Sequence, residues 1–124
     1  MTLLLLAGCG GGGGADAGGT PESQADQIAA GREVYAVGCA ECHGTNGEGG
    51  TGPLLIGGNK RIASYESTER LYDYVSRTMP FDTPGSLTPA EYWNVIGYLL
   101  DENELLPEGI VLGPESESIE LERG

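Results

Sequence analysis

Within the stretch GCAECHGTNGEGG, residues 38–50, Cys39 and Cys42 stand three positions apart and His43 follows directly. His43 is the only histidine of the chain. Two thiols and one imidazole thus share a single short turn of backbone, and whatever they hold must be built into the fold there. The rest of the chain makes such a nucleus necessary. Of its 124 residues 22 are glycine, with one Trp and one Phe. A domain this small buries a thin core and needs a staple, a metal or a cofactor to be stable.

Three chemistries use two cysteines and a histidine at this spacing. A structural zinc site needs four protein ligands; this chain offers Cys39, Cys42 and His43, and a fourth only if Cys9 folds back. A thioredoxin-like thiol pair expects a preceding strand and a βαβ pattern, and neither is legible here. Covalent attachment of a c-type haem matches the Cys-x-x-Cys-His string in full. Two thiols bond to the two vinyl groups, and the adjacent imidazole reaches the iron from the same side. This third reading is adopted, with one covalent haem c as the cofactor.

The N-terminus supplies independent support. Residues 3–9 read LLLLAGC. An apolar run ending in Leu6-Ala7-Gly8-Cys9 is similar to a bacterial lipoprotein signal, in which cleavage precedes the cysteine and the cysteine carries lipid. Only Met1 and Thr2 precede the leucines, so the charged start of such a signal is expected upstream of Met1. The other reading is an apolar start with a free, buried Cys9. The segment GGGGGADAGGTPESQAD, residues 10–26, favours the lipoprotein, because it has nothing to bury and reads as a tether. A Gly-rich coil of about 20 residues spans roughly 25 Å root-mean-square. No stretch is long enough for a transmembrane helix.

Helical spacing and end signals give the plan of the remainder. Ile28, Ala29, Val34 and Tyr35 predict a helix from about Gln24 to Gly38, where glycine stops it. Residues 44–60 are loop. Ser67-Thr68-Glu69-Arg70 opens a second helix with Leu71, Tyr74 and Val75 on its apolar stripe. It ends at Met79-Pro80, since the residue before proline leaves the helical region. Thr88 caps a third helix, with Pro89 at its first position and Glu91 completing a capping box. Its apolar face carries Tyr92, Trp93, Val95, Ile96, Leu99 and Leu100. From Pro107 the chain is acidic and turn-forming, a tail expected to lie along a partner or along the domain. No strand pattern and no internal repeat stand out.

The second axial ligand follows by elimination. Another histidine does not exist. Met1 leaves with the signal, so Met79 is the sole methionine of the mature chain, placed on a Pro-containing loop downstream of the haem motif. A thioether opposite a histidine raises the reduction potential and suits electron transfer. The bland reading of a lone methionine is core filler; Lys60 and the tyrosines are the other candidate ligands. Leu54, Leu55, Ile56, Leu71, Val75 and Phe81 are the candidate lining of the apolar haem pocket.

The formal charge is −13, from 19 acidic and 6 basic residues. Nucleic-acid binding is therefore not expected, because phosphate recognition wants a basic patch. Steering of a basic protein partner and plain solubility fit the charge equally.

With these residues in view, the chain resembles the class I c-type cytochromes over about residues 27–106. Gly31-x-x-x-Tyr35-x-x-x-Cys39 is similar to the first helix of that family, where glycine admits the last helix; Tyr98-Leu99 is similar to the last helix, so Gly31, Tyr35 and Tyr98 should meet. Gly52-Pro53-Leu54 resembles the loop whose proline carbonyl accepts the hydrogen bond of the ligand histidine, which places Pro53 in the site. Met79-Pro80 resembles the family's methionine ligand. Residues 71–100, LYDYVSRTMPFDTPGSLTPAEYWNVIGYLL, are similar to monohaem cytochrome subunits of bacterial sulfite or sulfane dehydrogenases, and short lipoprotein cytochromes of this kind occur in alternative complex III.

The resemblance implies an all-α fold, three main helices and loops around one covalent haem. The organisation expected is a signal remnant over 1–8, a lipid-anchored tether over 9–26, a cytochrome domain over 27–106 and an acidic tail over 107–124. Iron held by His43 and Met79 leaves no open position for substrate, so the implied role is one-electron transfer rather than catalysis. The expected partner is a redox protein, a respiratory or photosynthetic membrane complex, or a dehydrogenase, met on the outer face of a bacterial membrane. A fixed haem subunit of a larger membrane oxidoreductase is the alternative; a haem sensor or peroxidase, with Met79 leaving the iron, is a third.

Overall fold

The computed structural model describes residues 21–57 and 61–121. Helix α1, Gln24–Gly38, starts where the Ser23 side chain accepts a hydrogen bond from the Asp26 N–H at 3.1 Å. It stops at Gly38, as its glycine predicts, and the chain then makes one further turn, α2, over Ala40–His43. A short 3-10 helix spans Arg61–Tyr65. Helix α3, Thr68–Thr78, is capped by Ser67, and α4, Pro89–Glu102, carries the full Thr88/Glu91 capping box with proline in its first turn. The described residues contain no strand beyond one isolated antiparallel bridge, Ser67 to Glu120. The fold is all-α.

The helix crossing that organises the domain joins α1 to α4. A Cβ built on Gly31 would lie 1.9 Å from the Asn94 carbonyl oxygen and 2.8 Å from the Tyr98 Cβ. Any side chain there would push the helices apart. The close approach lets the Tyr35 and Tyr98 rings meet at 5.4 Å, so Gly31, Tyr35 and Tyr98 do come together. Tyr35, Leu71, Val95, Ile96 and Leu100 are among the most deeply buried side chains. Leu71, expected against the haem, is instead covered completely by protein and belongs to this core.

The segment after Pro107 lies along the domain. Gln27, fully buried on α1, donates to the Leu112 carbonyl at 2.9 Å and accepts from the Leu112 N–H at 2.8 Å. Gln24 donates to the carbonyls of Pro107 and Ile110. Further on, the Thr68 N–H donates to the Ile119 carbonyl at 3.0 Å and the Leu121 N–H to the Glu66 carbonyl at 2.7 Å. Leu112 and Leu121 are buried in the core while Glu108, Glu115, Glu117 and Glu120 face solvent. The packed unit thus runs past the expected boundary at residue 106 as far as Leu121. Leu112 and Leu121 are isolated apolar anchors that turn inward while Glu108, Glu115, Glu117 and Glu120 stay outside, a signal hidden among Gly, Pro and Glu.

Candidate functional site

The three chemistry-bearing residues sit where α1 hands over to α2. Cys39 closes α1 through its N–H, which donates to the Tyr35 carbonyl at 2.9 Å, and its own carbonyl accepts from the His43 N–H at 3.0 Å. One turn of helix therefore holds Cys39, Cys42 and His43 together. The two cysteines are not bonded to each other. Burial, and then the neighbouring Cys42, push the Cys39 thiol up to about 11. That is the reverse of the low-pKa thiolate a Cys-x-x-Cys redox catalyst needs. Among the described residues no three His, Cys, Asp or Glu side chains gather as an ion cage.

The histidine is held in one orientation. His43 is 7% exposed, and its Nδ1 lies 2.7 Å from the Pro53 carbonyl oxygen. A carbonyl can only accept, so Nδ1 carries the proton and donates, which leaves the lone pair on Nε2. The loop after the motif folds back to make this bond. The Gly52 N–H donates to the Cys42 carbonyl at 2.6 Å, and the Gly49 N–H to the His43 carbonyl at 2.7 Å. A Cβ on Gly52 would stand 2.8 Å from the His43 Cε1, so glycine is what allows the loop to close over the ring. Tyr35 donates its hydroxyl to the Gly44 carbonyl at 2.6 Å, tying the same turn to the core. Burial, followed by Cys39, pushes the Tyr35 hydroxyl up to about 12.

Met79 approaches the motif through its neighbour. It ends α3 in an extended conformation, φ −118° and ψ 152°, with its N–H bonded to the Val75 carbonyl. A Cβ on Gly38 would lie 3.8 Å from the Pro80 Cγ, so the Met79–Pro80 loop runs beside the residue that precedes Cys39. Leu54, Leu55, Ile56 and Val75 are half-buried, in keeping with a lining; Phe81 is 81% exposed. Cys9 and Lys60 lie outside the described residues.

Two residues of the site escaped the sequence. Asn103, 3% exposed, donates to the carbonyls of Leu55 and Leu99 and accepts from the Gly57 N–H at 3.0 Å, anchoring the 54–57 loop to the end of α4. Tyr92 donates its hydroxyl to the Met79 carbonyl at 2.7 Å. Asn103 carried a faint signal, a polar residue closing an apolar helix where a C-cap is expected.

The donor set suits a haem of the c type: two unpaired thiols one turn apart, an imidazole whose free lone pair sits on Nε2, and a thioether on the adjacent loop. The family model described as cytochrome c oxidase, cbb3-type, subunit III matches residues 26–99. The chain belongs to this family of c-type cytochromes. As such it carries covalently bound haem c and serves electron transfer. This cytochrome is also 34% identical over 80 residues to the thiosulfate dehydrogenase of Stutzerimonas stutzeri (strain A1501), a match spanning 58% of the chain and 26% of that protein. Against the crystal structure of the sulfane dehydrogenase SoxCD from Paracoccus pantotrophus it aligns with a TM-score of 0.54 and 30% identity, over 68% of this chain and 47% of that one. The cytochrome thus spans less than half the length of either relative.

Proposed function

We propose that Cys39 and Cys42 would attach a single haem through their thiols, that His43 through Nε2 and Met79 through its thioether would hold its iron, and that the domain is a one-electron carrier. Bound haem c would supply one reversible one-electron couple. The protein's part is to hold the ligands, exclude water and limit reorganisation. The observation that carries the reading is the 2.7 Å bond from His43 Nδ1 to the Pro53 carbonyl, made by a nearly buried ring beside two unpaired cysteines. It sets the tautomer and raises the basicity of Nε2, as expected of a metal-bound histidine.

The carrier is lipid-anchored through Cys9 on the outer face of a bacterial membrane, with residues 10–26 as the tether. Its partner is a membrane electron-transfer complex or a dehydrogenase acting on an inorganic sulfur compound; the sulfur chemistry named for both relatives favours the latter. A fixed subunit is the second reading, favoured by the aligned sulfane dehydrogenase chain being about twice as long as its cytochrome-like part. Denaturing gel electrophoresis with haem staining tests the attachment: the band retains haem in the native protein and loses it when both thiols are removed in the Cys39→Ser, Cys42→Ser double variant. Haem that washes out of the native band overturns the reading. Co-purification with a dehydrogenase in fixed stoichiometry selects the subunit over the mobile carrier.

A further inference from the structure

Resting on the reading of Met79 as an axial ligand, we infer that Tyr92 is the positioning residue that holds this ligand in place, by clamping both ends of the loop that carries it. Tyr92 stands in the first turns of α4 and is 3% exposed. Its hydroxyl donates to the Met79 carbonyl at 2.7 Å and accepts from the Leu87 N–H at 3.3 Å. One oxygen therefore spans the whole excursion from Met79 to Leu87. Apart from that bond, the described residues offer the Met79 carbonyl a long contact, 3.4 Å, from the Gly85 N–H.

The clamp is rooted in the packed crossing of α1 and α4. The Tyr72 ring meets Tyr92 edge-on at 6.3 Å and 84°, and Tyr72 itself stacks on Trp93 at 4.0 Å. These contacts fix the ring, and hence the direction of its hydroxyl. The start of α4 is held by the Thr88/Glu91 capping box, and its middle by the close crossing at Gly31. Helix α1, on the other side of that crossing, ends at Cys39. The thiol-and-histidine turn and the methionine loop are thereby referred to one rigid helix pair. A buried tyrosine hydroxyl needs some partner in any case; what marks this one is that both its bonds go to the two ends of the ligand loop.

The test is displacement of the thioether by imidazole in the intact ferric holoprotein, followed by loss of the weak near-red band of thioether-ligated haem. Tyr92→Phe keeps the ring against Tyr72 and removes the hydrogen bonds. It should tighten imidazole binding about five- to tenfold, the worth of one or two hydrogen bonds. In a Met79→Ala background, where nothing remains to be displaced, Tyr92→Phe should leave the affinity unchanged. Equal tightening in both backgrounds would show that Tyr92 acts elsewhere, and unchanged affinity in the Met79 protein would show that it clamps nothing; either overturns the inference while leaving the ligand assignment standing. A wild-type protein that lacks the near-red band, with a spectrum unaltered by Met79→Ala, removes Met79 from the iron and the inference with it. A residue of general structural value would lower the unfolding midpoint without moving the imidazole affinity.

Discussion

At the scale of the residue, glycine decides more of this site than any reactive side chain. Gly52 leaves room for the His43 ring and so permits the bond from Nδ1 to Pro53. In Gly52→Ala the added methyl would fall 2.8 Å from Cε1 and 3.2 Å from the Cys42 carbonyl, and neither neighbour is the free end of a flexible chain. The loop must retreat and lengthen the Pro53 bond. We expect a loss of stability of about 1–3 kcal/mol from the overpacking. We also expect a raised reduction potential, because a less basic imidazole stabilises the ferric state less. Denaturant unfolding and voltammetry read the two effects; an unmoved potential would show that the carbonyl does not tune the ring. Cys39, Cys42 and His43 were legible in the sequence because they are local, falling within five residues, whereas Pro53 came only from the resemblance to the class I cytochromes. The link from Tyr92 to Met79 was not legible, since nothing in an apolar stripe tells which buried hydroxyl reaches a carbonyl thirteen positions back.

At the scale of the element, the three long helices announce themselves by their ends. Ser67, Thr88 with Glu91, and Gly38 all act where the spacing of side chains places them. The short turns at Ala40–His43 and Arg61–Tyr65 have too few residues for a period to show. The strap from Pro107 to Leu121 was hidden for another reason. Apart from the single bridge at Glu120 it has no regular structure, and its order comes from distant parts of the chain, the Gln27 side chain and the backbone of residues 66–68. Replacing Gln27 by leucine leaves the buried N–H and carbonyl of Leu112 without their partners. Unsatisfied buried groups cost about 1–3 kcal/mol each, so we expect Gln27→Leu to lower stability by roughly 2–4 kcal/mol. Hydrogen exchange should show the loss concentrated at Leu112 and the strap. Protection that falls uniformly over the domain would mean that the strap is not a separable unit.

At the scale of the whole molecule, the −13 charge is spread unevenly with respect to the haem motif. The strap's exposed Glu115, Glu117 and Glu120 are tied to the start of α3, whose far end carries Met79. Eleven residues of helix separate the two, roughly 16 Å at 1.5 Å per residue. Glu41, by contrast, lies inside the motif and is exposed. Screening at physiological salt acts over about 8 Å. A partner that docks near the motif should therefore feel Glu41 strongly and the strap weakly. The rate of electron transfer to a soluble basic acceptor should fall as salt rises, and Glu41→Gln should lower it. The triple change Glu115→Gln, Glu117→Gln, Glu120→Gln should matter only at low ionic strength, where screening lengthens to about 30 Å at 0.01 M. Rates that rise with salt, or a triple variant slower than Glu41→Gln at physiological salt, would place the docking face elsewhere. The anchor proposed at Cys9 would set the concentration at which these encounters occur. With a lipid on Cys9, the carrier and a membrane complex share a surface, and tethering raises the effective concentration without any new contact. Cys9→Ser should then move the cytochrome from membranes to the soluble fraction. In membrane assays it should lower the turnover supported by a given amount of cytochrome, while the rate constant with a soluble acceptor stays unchanged. A Cys9→Ser protein that remains on membranes stripped of partner complexes would show that something other than the lipid holds it there.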